Sequence, residues 1–104
     1  MSKLFLDDLR QPPDMTWTLV RTTDEAIQWI QANGCPNCIS FDFYLANGED
    51  SLPLVKWLIT QDQEQQGKFL PPDFTFELHS NSPAGRAKIR YLLENYLSSK
   101  ASIE

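Results

Sequence analysis

Lys3-Leu4-Phe5-Leu6-Asp7-Asp8 governs the reading of the chain. A short run suited to a buried strand stops abruptly on two carboxylates. The same pattern returns at Cys38-Ile39-Ser40-Phe41, which leads into Asp42. It returns again at Phe74 to Leu78, which ends on His79-Ser80. Apolar strands that finish on polar residues are the signature of an open α/β sheet, where ligands sit at the carboxyl ends of the strands.

Working outward, Trp17 to Arg21 alternates apolar and polar residues and is rich in strand formers, so it reads as a second strand. Leu9 to Met15, with Pro12-Pro13, is a loop. Thr22 and Glu25 have capping-box spacing, and the helix they open carries Ala26, Ile27 and Ile30 on one face. Asn33-Gly34 stops it. A second helix is expected from about Ser51 to Gln66, with Leu54, Val55, Leu58 and Ile59 as its core stripe. Its polar end, Gln61 to Gln66, reads as solvated or frayed. Ser82-Pro83 is a cap and first-turn proline for a third helix, with Ile89, Leu92, Leu93, Tyr96 and Leu97 on one side. The residues from about Ser98 onward are expected to be loose.

The order β-β-α-β-α-β-α favours a parallel sheet with right-handed crossovers. One joint resists. At roughly eight residues the first connection is shorter than the dozen a parallel crossover usually needs. Either the second strand is antiparallel to the first, or the loop crosses in extended form. The expected fold is a truncated receiver-like (flavodoxin-like) three-layer α/β domain. Its four-stranded, mainly parallel sheet has the order 2-1-3-4, with three helices. One domain over residues 1–104 is expected, with an ordered core of about 3–97.

Composition narrows function. The chain has 104 residues, is 41% hydrophobic and 12% aromatic, and carries a net charge of −5. This much apolar content argues against disorder. The negative balance, with no basic tail, argues against a general nucleic-acid binder. No apolar run approaches the ~20 residues that span a bilayer. The start, Met1 to Asp8, is too short and too soon acidic for a signal peptide, so a cytoplasmic protein is expected. Cys35 and Cys38 form a CxxC pair, but it follows a helix end and precedes a strand. That is the reverse of a thiol activated at a helix start, so two half-buried thiols at a turn are expected. Trp17, Trp29 and Trp57 read as core or groove aromatics.

If the sheet is parallel, Asp7, Asp8 and Asp42 converge, with Arg10, His79 and Ser80 beside them. Clustered carboxylates need a cation, a nearby basic group or a raised pKa. Oxygen ligands suit a hard cation such as Mg²⁺. The start of the third helix favours an anion, with Gly85 giving close approach to the backbone and Arg86 adding charge. Together these suggest a phosphate-bearing ligand, with His79 as general acid or base. The plainer alternatives are a hydrogen-bonded structural His79, a Ser82 that only caps its helix, and an Arg10 that only neutralises Asp7 or Asp8.

These residues resemble the acidic pocket of response-regulator receiver domains. The closer resemblance is to a compact relative, the cyclic-phosphate processing receiver domains. It rests on Leu6-Asp7-Asp8-Leu9-Arg10 with Pro12, on Ser40-Phe41-Asp42-Phe43-Tyr44-Leu45-Ala46, and on His79-Ser80-Asn81-Ser82-Pro83-Ala84-Gly85. The resemblance implies catalytic roles for Asp42, His79 and Ser80. It implies a metal held by Asp7, Asp8, Asp42 and the Tyr44 carbonyl, and phosphate contacts from Arg10, Ser80, Ser82 and Gly85. The implied partner is a phosphate-bearing small molecule or nucleic-acid end. The chain departs from the family pattern where Phe43 and Tyr44 replace a His and an Asp, and where Ser82 replaces an Asn. The fifth strand and its Lys found in ordinary receivers are also expected to be missing. These apolar replacements leave a second expectation, a catalytically degenerate domain that binds a protein partner.

Overall fold

The computed structural model describes residues 2–102. Met1, Ile103 and Glu104, at the extremes of the expected domain, lie outside the described residues. The elements are β1 (Lys3–Leu6), β2 (Trp17–Val20), α1 (Thr23–Asn33), β3 (Cys38–Phe41), α2 (Leu52–Glu64), β4 (Thr75–Leu78) and α3 (Pro83–Ser102). A short 3₁₀ turn, Ala46–Gly48, precedes α2. The sheet order is β2-β1-β3-β4, and every pairing is parallel. Leu6, Phe41 and Leu78 are level across three strands, so all three strand ends open on one edge.

The short first connection is resolved in favour of the extended crossing. Returning along a four-residue strand needs only about 13 Å, which a few extended residues can span. No helix is required. The segment is tied down locally instead. The Asp7 carboxylate accepts the amides of Leu9 and Arg10, both at 2.9 Å. Arg21 reaches back from the end of β2 to the carbonyls of Asp7 (3.3 Å) and Arg10 (3.0 Å).

The helices begin and end where their chemistry dictates. Thr22 caps α1 through the Glu25 amide, while Glu25 returns to the Arg21 amide rather than to that of Thr22. Gly34, at φ +88°, ends that helix with its N–H on the Ile30 carbonyl. At α2 the cap is Asp50, which accepts from the Leu52 amide, and Ser51 makes no capping bond.

Leu4, Leu6, Val20, Ile39 and Phe41 join Ala26 and Ile30 of α1, Leu54, Val55 and Leu58 of α2, and Ile89 and Leu93 of α3 in the core. Phe5 and Ser40, on alternate positions of the same strands, face the other way. Phe5 packs edge-on to Trp17, and Lys3 lies over the Trp17 ring. Among the described residues no helix is long and apolar enough to cross a membrane.

Two expectations are corrected. The polar end of α2 is not uniformly solvated, because Asp62 is fully buried. Its carboxylate accepts the amides of Phe69 (2.9 Å) and Leu70 (2.8 Å) and the Tyr96 hydroxyl (2.6 Å), and it pairs with Lys100 at 2.9 Å. The chain is not loose from Ser98, because α3 continues through Ser102 and Lys100 pins it to Asp62. Its side-chain partners, Tyr96 and Lys100, lie on a different helix, so no local pattern could announce them.

Candidate functional site

At the carboxyl edge of the sheet, β1 delivers Asp7, β3 delivers Asp42 and β4 delivers His79. Backbone bonds across the strand ends fix their level: Asp42 N–H donates to the Leu6 carbonyl at 3.0 Å and His79 N–H to the Phe41 carbonyl at 3.1 Å. One potential ligand atom from each of the three side chains falls within 4.8 Å of the other two.

His79 is held at both ring nitrogens. Nε2 lies 3.0 Å from Asp7 Oδ2, and Nδ1 lies 2.7 Å from Ser40 Oγ. The ring also stacks on Phe5, with centroids 4.2 Å apart and planes at 11°. Side-chain freedom is thus removed from three directions. Ser40, which the strand-ending pattern does not single out, is thus brought into the site by its bond to His79. Its signal was a lone hydroxyl between Ile39 and Phe41, on the strand face that the helices do not cover.

The two buried carboxylates are driven apart electrostatically. Burial alone would raise the Asp7 carboxyl, but the Arg10 and Leu9 amides and His79 outweigh it and hold it below the usual value. Asp42 goes the other way. Burial and the charge of Asp7 push its carboxyl up, against the Phe43 amide bonded to Oδ1 at 2.9 Å. Asp7 is therefore the settled anion and Asp42 the under-compensated one.

The remaining predicted residues divide into those at the cluster and those committed elsewhere. Arg10 donates to the His79 carbonyl at 2.8 Å and stands 3.8 Å from Asp7 Oδ2. It thus bridges the ends of β1 and β4. Asp8 is half-buried, lies outside the three-residue cluster, and makes no side-chain hydrogen bond or ion pair among the described residues. Tyr44 is 64% exposed.

Ser80 is buried, and its Oγ accepts the Ser82 amide at 3.1 Å. Ser82 caps α3 through the Gly85 amide at 3.0 Å. Arg86 folds back onto the Ser80 carbonyl. Gly85 does not leave an opening for a ligand. A Cβ there would lie 2.3 Å from Cγ of Phe43, so the Phe43 ring already fills the space. The start of α3 is thus bonded and packed largely within itself. Of the expected anion-binding groups, Arg10 is the one standing at the carboxylate cluster.

A parallel sheet of order 2-1-3-4, with acidic residues at the ends of β1 and β3, defines a receiver-like α/β domain. A family model described as the cyclic-phosphate processing receiver domain matches residues 2–95, and the chain belongs to that family. No curated protein and no solved structure matches it.

Proposed function

We propose that this domain binds a divalent cation and a phosphate group at the Asp7–Asp42–His79 edge, and that it processes cyclic or terminal phosphate esters of nucleotides or RNA ends. The observation that carries this reading is the meeting of the three ligand-capable side chains within 4.8 Å. The donor chemistry fits a hard cation. Asp42 is buried beside a second carboxylate that raises its pKa, and a cation would relieve both effects.

In this reading Asp42, Asp7 and Asp8 hold the ion, with the Tyr44 carbonyl as a further oxygen. The bound ion would polarise a phosphoryl oxygen and offset developing charge. Arg10 offers its guanidinium to phosphate oxygens, a geometry to which its planar fork is suited. His79 carries protons, but not alone. Asp7 holds its ring through the 3.0 Å contact at Nε2. Ser40 keeps the ring aimed along that line. Ser80 and Ser82 shape the turn that places His79.

The test is an assay of 2′,3′-cyclic nucleotides with Mg²⁺, comparing wild type with Asp42→Ala. Turnover in wild type, falling at least 100-fold in the variant, is expected. Absence of turnover and of metal binding in wild type overturns the reading.

One observation favours a second reading, a receiver-like domain that binds a protein. Phe43 plugs the space beside Gly85, while Leu9 and Tyr44 stand exposed after the two acidic strand ends. That reading predicts a partner captured equally well by wild type and Asp42→Ala.

A further inference from the structure

We infer that Tyr44 is a stacking platform that selects a phosphate ester bearing an aromatic base; the inference rests on the phosphate reading of the neighbouring carboxylates. Four large apolar side chains are exposed in the described chain: Leu9, Met15, Tyr44 and Tyr91. An isolated exposed aromatic needs no explanation. Tyr44 differs in where it stands and how firmly it is held.

Its position is two residues beyond Asp42. The chain bends at Phe43 between them, and two residues span at most about 7 Å, on the scale of the sugar that separates a base from its phosphate. A phosphate held at Asp42 and Arg10 therefore puts an attached base within reach of the Tyr44 ring.

The support is built on both sides. Tyr44 pairs with Asp50 in an antiparallel bridge. The flanking Phe43 carbonyl accepts the Ser51 amide, and the Leu45 amide donates to the Glu49 carbonyl, each at 2.9 Å. The side chain meets the Phe43 ring at 86°, with centroids 4.8 Å apart. Phe43 in turn is 3% exposed and seated against Gly85. A propped ring with two side-chain torsions gives up little freedom when a flat ligand covers it. Every nucleobase has a π-face, so such a platform selects aromatic esters without reading a sequence.

The experiment compares the affinity of adenosine 2′,3′-cyclic phosphate with that of glycerol 1,2-cyclic phosphate. Wild type, Tyr44→Ala and Tyr44→Phe are compared in Mg²⁺ by Michaelis constant where an ester turns over and by calorimetric titration where it does not. The exposed position makes both variants compatible with folding, which circular dichroism checks. Wild type is expected to prefer the adenosine ester by about ten-fold or more. The preference should persist in Tyr44→Phe and fall close to one in Tyr44→Ala. A wild type that binds both esters equally overturns the stacking role and leaves the phosphate reading standing. So does a preference that survives in Tyr44→Ala. A wild type that binds neither ester overturns both.

Discussion

A Cβ on Gly85 would have to share space with a phenyl ring that has nowhere to go, since Phe43 is 3% exposed and packed into the core. Alanine normally stabilises a helix interior over glycine by about 1 kcal/mol. Here the clash should win. Gly85→Ala is expected to lower stability by about 1–3 kcal/mol in denaturant unfolding. Combining it with Phe43→Ala should restore part of that loss, and strictly additive costs would contradict the packing. At Asp62 the argument is electrostatic. Burial would raise its carboxyl, but the Tyr96 hydroxyl, the Leu70 amide and Lys100 hold it below the usual 3.8. As pH falls, the unfolded chain takes up the proton first. The stabilisation is therefore complete above the unfolded value and is lost as pH drops through 3.8 toward the folded one. Asp62→Asn should cost about 3 kcal/mol at neutral pH and flatten this acid limb in pH-dependent thermal melts. An unchanged limb would mean that other carboxylates dominate it.

At the scale of elements, β1, β3 and the caps of α1 and α3 were legible because their signals are local. An apolar run ending on a carboxylate, a Thr–Glu spacing and a Ser-Pro pair each act within a few residues. The parallel placement of β2 was not legible, because it depends on an Asp7 turn and on Arg21 bracing two carbonyls. The length of α3 was missed for a related reason. Nothing in Ser98 to Ser102 signals helix strongly, and what fixes the end is Lys100 reaching a buried carboxylate on α2. Lys100→Met should therefore release the last turns. Amide exchange at residues 97–101 is expected to speed up at least ten-fold while β1 and β3 keep their protection. Uniform acceleration across the chain would indicate global destabilisation instead.

At the scale of the whole molecule, the sheet gathers at one edge residues that the sequence keeps far apart. The acidic pair Asp7 and Asp42 was readable from strand endings alone, and so was the arrival of His79. Its two-sided grip by Asp7 and Ser40 was not, since it needs β1, β3 and β4 in register. Asp8 and Asp42 were expected to hold the metal with Asp7 assisting, whereas the side chains that meet among the described residues are Asp7, Asp42 and His79. Gly85 was read as a ligand approach and serves packing. The central claim is that this edge holds a divalent cation through Asp42. It is tested most directly by titrating Mg²⁺ into isotope-labelled protein and following backbone amide shifts, in wild type and in Asp42→Asn. The account predicts a saturable one-site response confined to the ends of β1, β3 and β4, abolished by the substitution while the rest of the spectrum is retained. A wild-type spectrum that does not respond, or a variant that responds identically, contradicts it.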